Sequence, residues 1–189
     1  MACREVTAGQ YAIYLQNSGS ETKATQLLNR LRNDMPVNFV NFNDAKLFAD
    51  WLTKKERTEK RISPQASYRL PKDEEWSLSA GLIEDGWRPE LRQEFSEQRF
   101  QKNREKFFKV ENTSKYGIFG LDSDPMEWCE DMLPQFGATQ TNSIYRVVRG
   151  NDPAIPWERI GMTNSSGSGR LGFRLGFRLV YLSFEESKR

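Results

Sequence analysis

The sequence predicts a single α+β domain, with helices in the N-terminal half and short twisted antiparallel strands joined by long loops in the C-terminal half. Three observations carry that expectation. Between residues 7 and 76, apolar side chains recur at helical spacing behind recognisable N-caps. From Tyr116 onward the texture changes to short apolar runs broken by turns and glycines. Within residues 171–180, Phe173, Leu175, Phe177 and Leu179 alternate with Gly172, Arg174, Gly176 and Arg178, which is the two-residue period of a strand. Helices first and strands later is the α+β order.

Each element can be justified in turn. Thr7-Ala8-Gly9-Gln10 has the form of a capping box, and Ala8, Tyr11, Ala12 and Leu15 follow on one helical face. The polar stretch 17–20 ends this first helix. Met35-Pro36-Val37-Asn38-Phe39-Val40 is short, apolar and proline-led, so it reads as a strand or an extended lead-in. Asn43 or Asp44 then caps a second helix with Ala45, Phe48, Ala49 and Leu52 on its apolar side. Its C-terminal end is basic (Lys54, Lys55, Arg57, Lys60, Arg61), which suits the negative end of a helix dipole. Tyr68-Arg69-Leu70-Pro71 is extended, and Asp73-Glu74-Glu75-Trp76 opens a third, short helix with its acids at the positive pole. Residues 86–112 are expected to form a polar insertion containing an amphipathic helix. No linker divides residues 1–189.

Composition narrows the function. The 189 residues carry 28 Lys+Arg against 26 Asp+Glu, a net charge of +2, so no strong preference for polyanions follows and nucleic acid is not expected as a partner. A hydrophobic fraction of 37% with 12% aromatics suffices for a packed core. No apolar run approaches the ~18 residues of a membrane span. The start, Met1-Ala2-Cys3-Arg4-Glu5, lacks the apolar core of a signal peptide, and Cys3 and Cys129 are too few for a disulfide framework, so a cytoplasmic setting is expected. There is no histidine. That removes Ser-His-Asp and Cys-His catalysis and the imidazole ligands of zinc and non-haem iron. Asp73, Glu74 and Glu75 could be paired acids, but their place at a helix N-terminus already accounts for them.

Several segments recur in an order that points to one family. They are Glu5-Val6-Thr7-Ala8-Gly9-Gln10-Tyr11, Met35-Pro36-Val37-Asn38 with Asn43-Asp44-Ala45 and Trp51-Leu52, and Tyr68-Arg69-Leu70-Pro71 with Glu75-Trp76. Met126-Glu127-Trp128-Cys129-Glu130-Asp131, Arg146-Val147-Val148-Arg149-Gly150 and Gly176-Phe177-Arg178-Leu179 complete the series. Together they resemble the formylglycine-generating-enzyme, or sulfatase-modifying-factor, family, which implies a variant of the C-type-lectin fold. The resemblance also implies that Arg149 and Arg178 are structural. The family's usual N-terminal strand is missing from this sequence, which leaves the first sheet edge open or covered in another way.

The departures from the family pattern shape the functional expectation. Its oxidases need a pair of cysteines near the C-terminus, a soft site suited to Cu(I), and no cysteine follows Cys129 here. Its iron enzymes rely on histidine. The resemblance further implies a calcium site made of an Asp or Asn, two carbonyls and a Glu. Glu127 keeps the Glu and Ser123 and Pro125 keep the carbonyl positions, while Gly120 replaces the Asp or Asn; Asp122 and Asp124 lie close enough to compensate. The stretch 120–125 also fits a tight turn built on Asx chemistry.

A non-catalytic binding module is therefore expected, with a protein or other macromolecule as its partner. The ligand face is residues 151–174, with Asn151, Asp152, Trp157, Arg159, Thr163, Asn164, Ser165, Ser166, Arg170 and Phe173 as candidate contacts. A Trp and arginines beside small hydroxyl and amide residues make an adaptable surface. Trp157 packed into the core is the competing placement. The variable proteins of diversity-generating retroelements are similar in sequence and end in the same Gly-Phe-Arg. The alternatives are a divergent oxidase using Cys129 or a carboxylate-bound metal, and an assembly subunit that pairs through its open edge.

Overall fold

The computed structural model describes residues 1–80, 114, 116–121, 125–132, 145–150, 160–163 and 175–183. Helices α1 (Ala8–Asn17), α2 (Glu21–Leu28) and α3 (Phe42–Thr58) come first, followed by strand β1 (Ser67–Arg69) and helix α4 (Asp73–Ser79). Strands β2 (Met126–Met132), β3 (Tyr145–Arg149), β4 (Ile160–Thr163), β5 (Leu175–Gly176) and β6 (Val180–Leu182) complete the order. The insertion expected over 86–112 lies outside the described residues.

The helices start where local chemistry satisfies their free N–H groups. Thr7 and Gln10 exchange reciprocal hydrogen bonds at the head of α1, the expected capping box. Helix α3 differs from the expectation: Asn41, not Asn43 or Asp44, is its cap, and the Asn41 side chain accepts from the Asp44 N–H at 2.8 Å. The apolar run decides this, because the helix must begin at Phe42 for that ring to join Ala45, Phe48 and Ala49 on the buried face. Helix α2 was not foreseen. Ala24 is its one buried side chain, so almost no apolar periodicity marks it.

Four strands form one sheet in the order β4-β3-β2-β5, and β1 pairs with β6 in a second. Pairings β2–β3, β3–β4 and β1–β6 are antiparallel, whereas β2–β5 is parallel. The alternating run near the C-terminus thus serves two sheets in succession. Leu175 and Gly176 lie beside Met126 and Glu127, and Val180–Leu182 lies beside β1. Residues 177–179 between them receive the N-terminal segment: Val6 N–H donates to Phe177 O at 2.9 Å and Ala2 N–H to Leu179 O at 2.7 Å. The edge expected to be open or covered in another way is covered by residues 2–6. Because chain lies on both sides of it, Arg178 is as buried as Phe177, and the alternation does not divide a wet face from a dry one.

Helix α3 packs on this core through aromatic rings. Phe48 meets Tyr11 at 5.6 Å and Phe177 at 5.4 Å between ring centroids. On the sheet side Trp128 is fully buried, stands edge-on to Phe42 at 6.0 Å, and donates its indole N–H to Val40 O at 2.8 Å. That bond holds the 37–40 segment, whose Val37 N–H also donates to Val6 O. A second apolar cluster unites Trp76, Ile118, Leu121, Cys129 and Val147. Among the described residues no helix is long and apolar enough to cross a membrane.

Replacing Trp128 by Phe removes the indole donor and orphans the buried Val40 carbonyl. The expected cost is about 1–3 kcal/mol for the unsatisfied group, with more from the space the smaller ring leaves. Urea unfolding of Trp128→Phe against the native protein measures it; an unchanged midpoint would mean the bond contributes nothing.

Candidate functional site

The expected ligand face is framed by buried, fixed posts. Strand β3 delivers the chain to residue 150, and β5 receives it again at residue 175. Arg149, the last residue of β3, is fully buried: its Nε donates to Asp73 Oδ1 at 2.7 Å, its Nη2 donates to Ser77 Oγ, and its guanidinium lies 5.3 Å from the Trp76 ring centre. One arginine thereby ties the sheet to α4. Gly150 follows with φ +96°, a backbone setting that a side chain would strain. At the far post, a Cβ on Gly176 would come within 2.5 Å of Val37 O and 2.6 Å of Pro125 Cγ, so only glycine permits β5 to pack there.

Two residues further on, Arg178 occupies the centre of a buried polar cluster. It donates from Nε to Glu127 Oε2 at 2.6 Å and from Nη2 to Glu127 Oε1, and its remaining donors reach Phe119 O at 2.9 Å and Ala2 O at 3.3 Å. Trp76 Nε1 adds a hydrogen bond to Glu127 Oε2 at 3.1 Å. A fully buried ion pair survives only when its hydrogen-bonding capacity is met in this way.

Glu5 joins the same cluster, 3.5 Å from Arg178 Nη2, and sequence reasoning missed it. The turn at Gly120 explains its position. With φ +76°, Gly120 has no Cβ, and one placed there would stand 2.4 Å from Glu5 Oε1. The carboxylate of Glu5 thus takes the space where the resemblance leads one to expect an Asp or Asn side chain. The missing side chain at Gly120 was the available signal, since a vacated buried position must be filled by something. Burial pushes the Glu5 carboxyl up to about 7, helped by the negative charge of Glu127 and opposed by Arg178.

Of the expected calcium ligands, Pro125 and Glu127 are described and both are buried. Both Glu127 oxygens accept from Arg178. Among the described residues no three acidic, thiol or imidazole side chains gather at one point. Asp122, Ser123 and Asp124 lie outside the described residues.

The remaining candidates sort as follows. Thr163, at the end of β4, lies opposite Tyr145 of β3. Asn151, Asp152, Trp157, Arg159, Asn164, Ser165, Ser166, Arg170 and Phe173 lie outside the described residues. Arg146 donates to Glu130 O at 2.6 Å and covers the Phe42 ring at 4.4 Å. The acids of α4 are engaged in structure: Glu75 receives Arg69 through two bonds at 2.7 and 2.6 Å, which holds its carboxyl below the usual range, and Asp73 receives Arg149. Cys129 is fully buried in β2, and burial pushes its thiol well up. Cys3 is exposed.

The chain matches the sulfatase-modifying factor enzyme 1-like domain over residues 1–182 and belongs to that family, which implies the C-type-lectin-like fold. No curated protein and no solved structure matches it.

The raised Glu5 carboxyl fixes the sign of a pH effect. The folded protein holds this proton more tightly than the unfolded chain, whose Glu titrates near 4.5. Its contribution to stability is full below that value and is lost as pH rises through about 7. Melting curves of native protein and Glu5→Gln should diverge between these limits. The variant is expected to be the more stable one at pH 8, by on the order of 1–3 kcal/mol. Parallel curves across the range would show that Glu5 titrates as in water.

Proposed function

We propose that this member of the sulfatase-modifying-factor family is a non-catalytic binding module that presents residues 151–174 to a protein or other macromolecular ligand. The observation that carries this reading is the state of Cys129. It is the last cysteine in the sequence, and its thiol is sealed in the core with its ionisation suppressed. A nucleophilic or metal-binding cysteine works as a thiolate with access to its partner. With no histidine and no later cysteine, the sequence offers no soft ligand pair for copper and no imidazole for iron.

The frame of the face supports a binding role. Buried charged groups stand on both sides of 151–174: Arg149 before it, bonded to Asp73, and Arg178 after it, bonded to Glu127. Loops carried on a rigid base can change sequence without disturbing the core. That is what a display surface requires, and it extends the reading to a retroelement-diversified variable protein. A near-copy of the coding region for residues 147–178 beside a reverse-transcriptase gene is expected in the neighbouring DNA.

Two measurements test the binding reading. With copper or iron supplied, a thiol-containing peptide should cause no oxygen uptake above a protein-free control; uptake in step with peptide consumption would establish a divergent oxidase. Partner capture from extracts of the source cells should be lost in both Trp157→Ala and Arg159→Ala, by about tenfold or more in affinity if each is an interface anchor. Undiminished capture by both variants would remove residues 151–174 as the ligand face.

A further inference from the structure

A separate recess of about 500 Å³ lies between helix α3 and strand β1. That volume falls in the range of small-molecule sites. Asp50, Lys54 and Arg57 line it from the helix, and Ser67 and Arg69 from the strand. The two walls are fastened together, because the Tyr68 N–H donates to Thr53 Oγ1 at 2.8 Å.

Charge around this recess is unevenly answered. The acids in the last turns of α3 have partners. Glu56 accepts from the Tyr68 hydroxyl at 3.0 Å and lies 3.4 Å from Arg61, while Glu59 pairs with Lys55 and with Arg61. On the strand side, Arg69 is occupied by Glu75. Lys54 and Arg57, by contrast, form no ion pair among the described residues. The helix dipole favours bases near this end of α3, but a dipole does not hold a side chain in one place. Arg57 is held: its Nε donates to Ala66 O at 2.9 Å, next to Ser67 in the chain. That bond uses a single donor, and the Nη groups make no hydrogen bond among the described residues. A guanidinium anchored in this way loses less freedom when it takes up an anion.

We propose that this recess binds a phosphate group, received by the Arg57 guanidinium, the Lys54 ammonium and the Ser67 hydroxyl. The donor set selects this chemistry. A carboxylate has two oxygens and one charge, which the Arg57 fork alone would satisfy, leaving Lys54 unanswered. A phosphate group brings three acceptor oxygens and close to two charges, enough for the fork, the ammonium and the hydroxyl together. Asp50 lines the same recess seven residues before Arg57, about 10 Å along the helix axis at 1.5 Å per residue, and repels an anion toward the Arg57 end. A net charge of +2 over the whole chain gives no pull on a polyanion, so a single phosphate group, free or on a small ester, is the ligand rather than a nucleic acid backbone.

Phosphorus NMR titration of the intact chain with inorganic phosphate and with glycerol 3-phosphate, at low ionic strength, tests the proposal. Both should bind saturably, at or below about 1 mM for the tighter of the two. A preference of about tenfold or more for the ester would assign a phosphorylated small molecule, and equal affinity would assign the free ion; either result supports the site. Arg57→Lys, which keeps the charge and loses the fork, should weaken binding at least about tenfold. Lys54→Gln should do the same with an unliganded melting midpoint close to native, because this exposed base has no ion pair to lose among the described residues. Lys60→Gln, at an exposed base that does not line the recess, should bind as the native chain does. No saturable response to either ligand up to about 10 mM would overturn the proposal. So would native affinity in both Arg57→Lys and Lys54→Gln, or an equal loss in Lys60→Gln.

Discussion

The structure depends on one buried guanidinium. Arg178 joins the N-terminal segment through Ala2 and Glu5, the 116–121 turn through Phe119, and the central strand β2 through Glu127. Trp76 brings α4 to the same carboxylate. Taking these charges out of water is expensive, and only a complete set of partners offsets the cost. The requirement therefore acts on chain segments far apart in sequence: if any one is displaced, a buried charge loses a partner. Arg149 repeats the device, linking β3 to α4 through Asp73 and Ser77. Apolar packing supplies the bulk of the driving force, while the two arginines fix which helix meets which strand.

How much of this was legible in sequence depended on how local its cause was. The capping box at Thr7, the acidic start of α4 and the apolar face of α3 are set by residues within one or two turns, and all could be read directly. The start of α3 was read a little late, because Asn41, Asn43 and Asp44 are all competent caps and only burial of Phe42 chooses among them. Helix α2 escaped because tertiary contact with α1, not periodicity, stabilises it. Within the run 171–180, Leu175, Gly176 and Val180 lie in strands as expected. The fold covers both sides of it, so Arg178 is paired inside.

The candidate site was less legible, for a physical reason. Binding residues on a loop need satisfy no packing rule, so composition identifies a surface without specifying its geometry. What the sequence held firmly was the frame, because Arg149, Gly150, Gly176 and Arg178 each answer a strict demand of charge or space. Glu5 was hidden for the opposite reason. Its role exists only because Gly120, over a hundred positions later, leaves a vacancy that the Glu5 carboxylate fills.

That substitution changes the electrical balance of the cluster. An acid supplied from Glu5 is held where the N-terminal segment docks, beside Glu127 and within reach of the single guanidinium of Arg178. Two carboxylates facing one arginine cannot both be neutralised by it, and burial denies them water. The imbalance falls on the member with the weaker hold on the arginine: Glu127 has two short arginine bonds and the Trp76 indole, whereas Arg178 stands 3.5 Å from Glu5. Glu5 therefore holds its proton toward neutral pH. The N-terminal segment, which covers the sheet edge, is thus docked at a point in the core where the charge balance is incomplete.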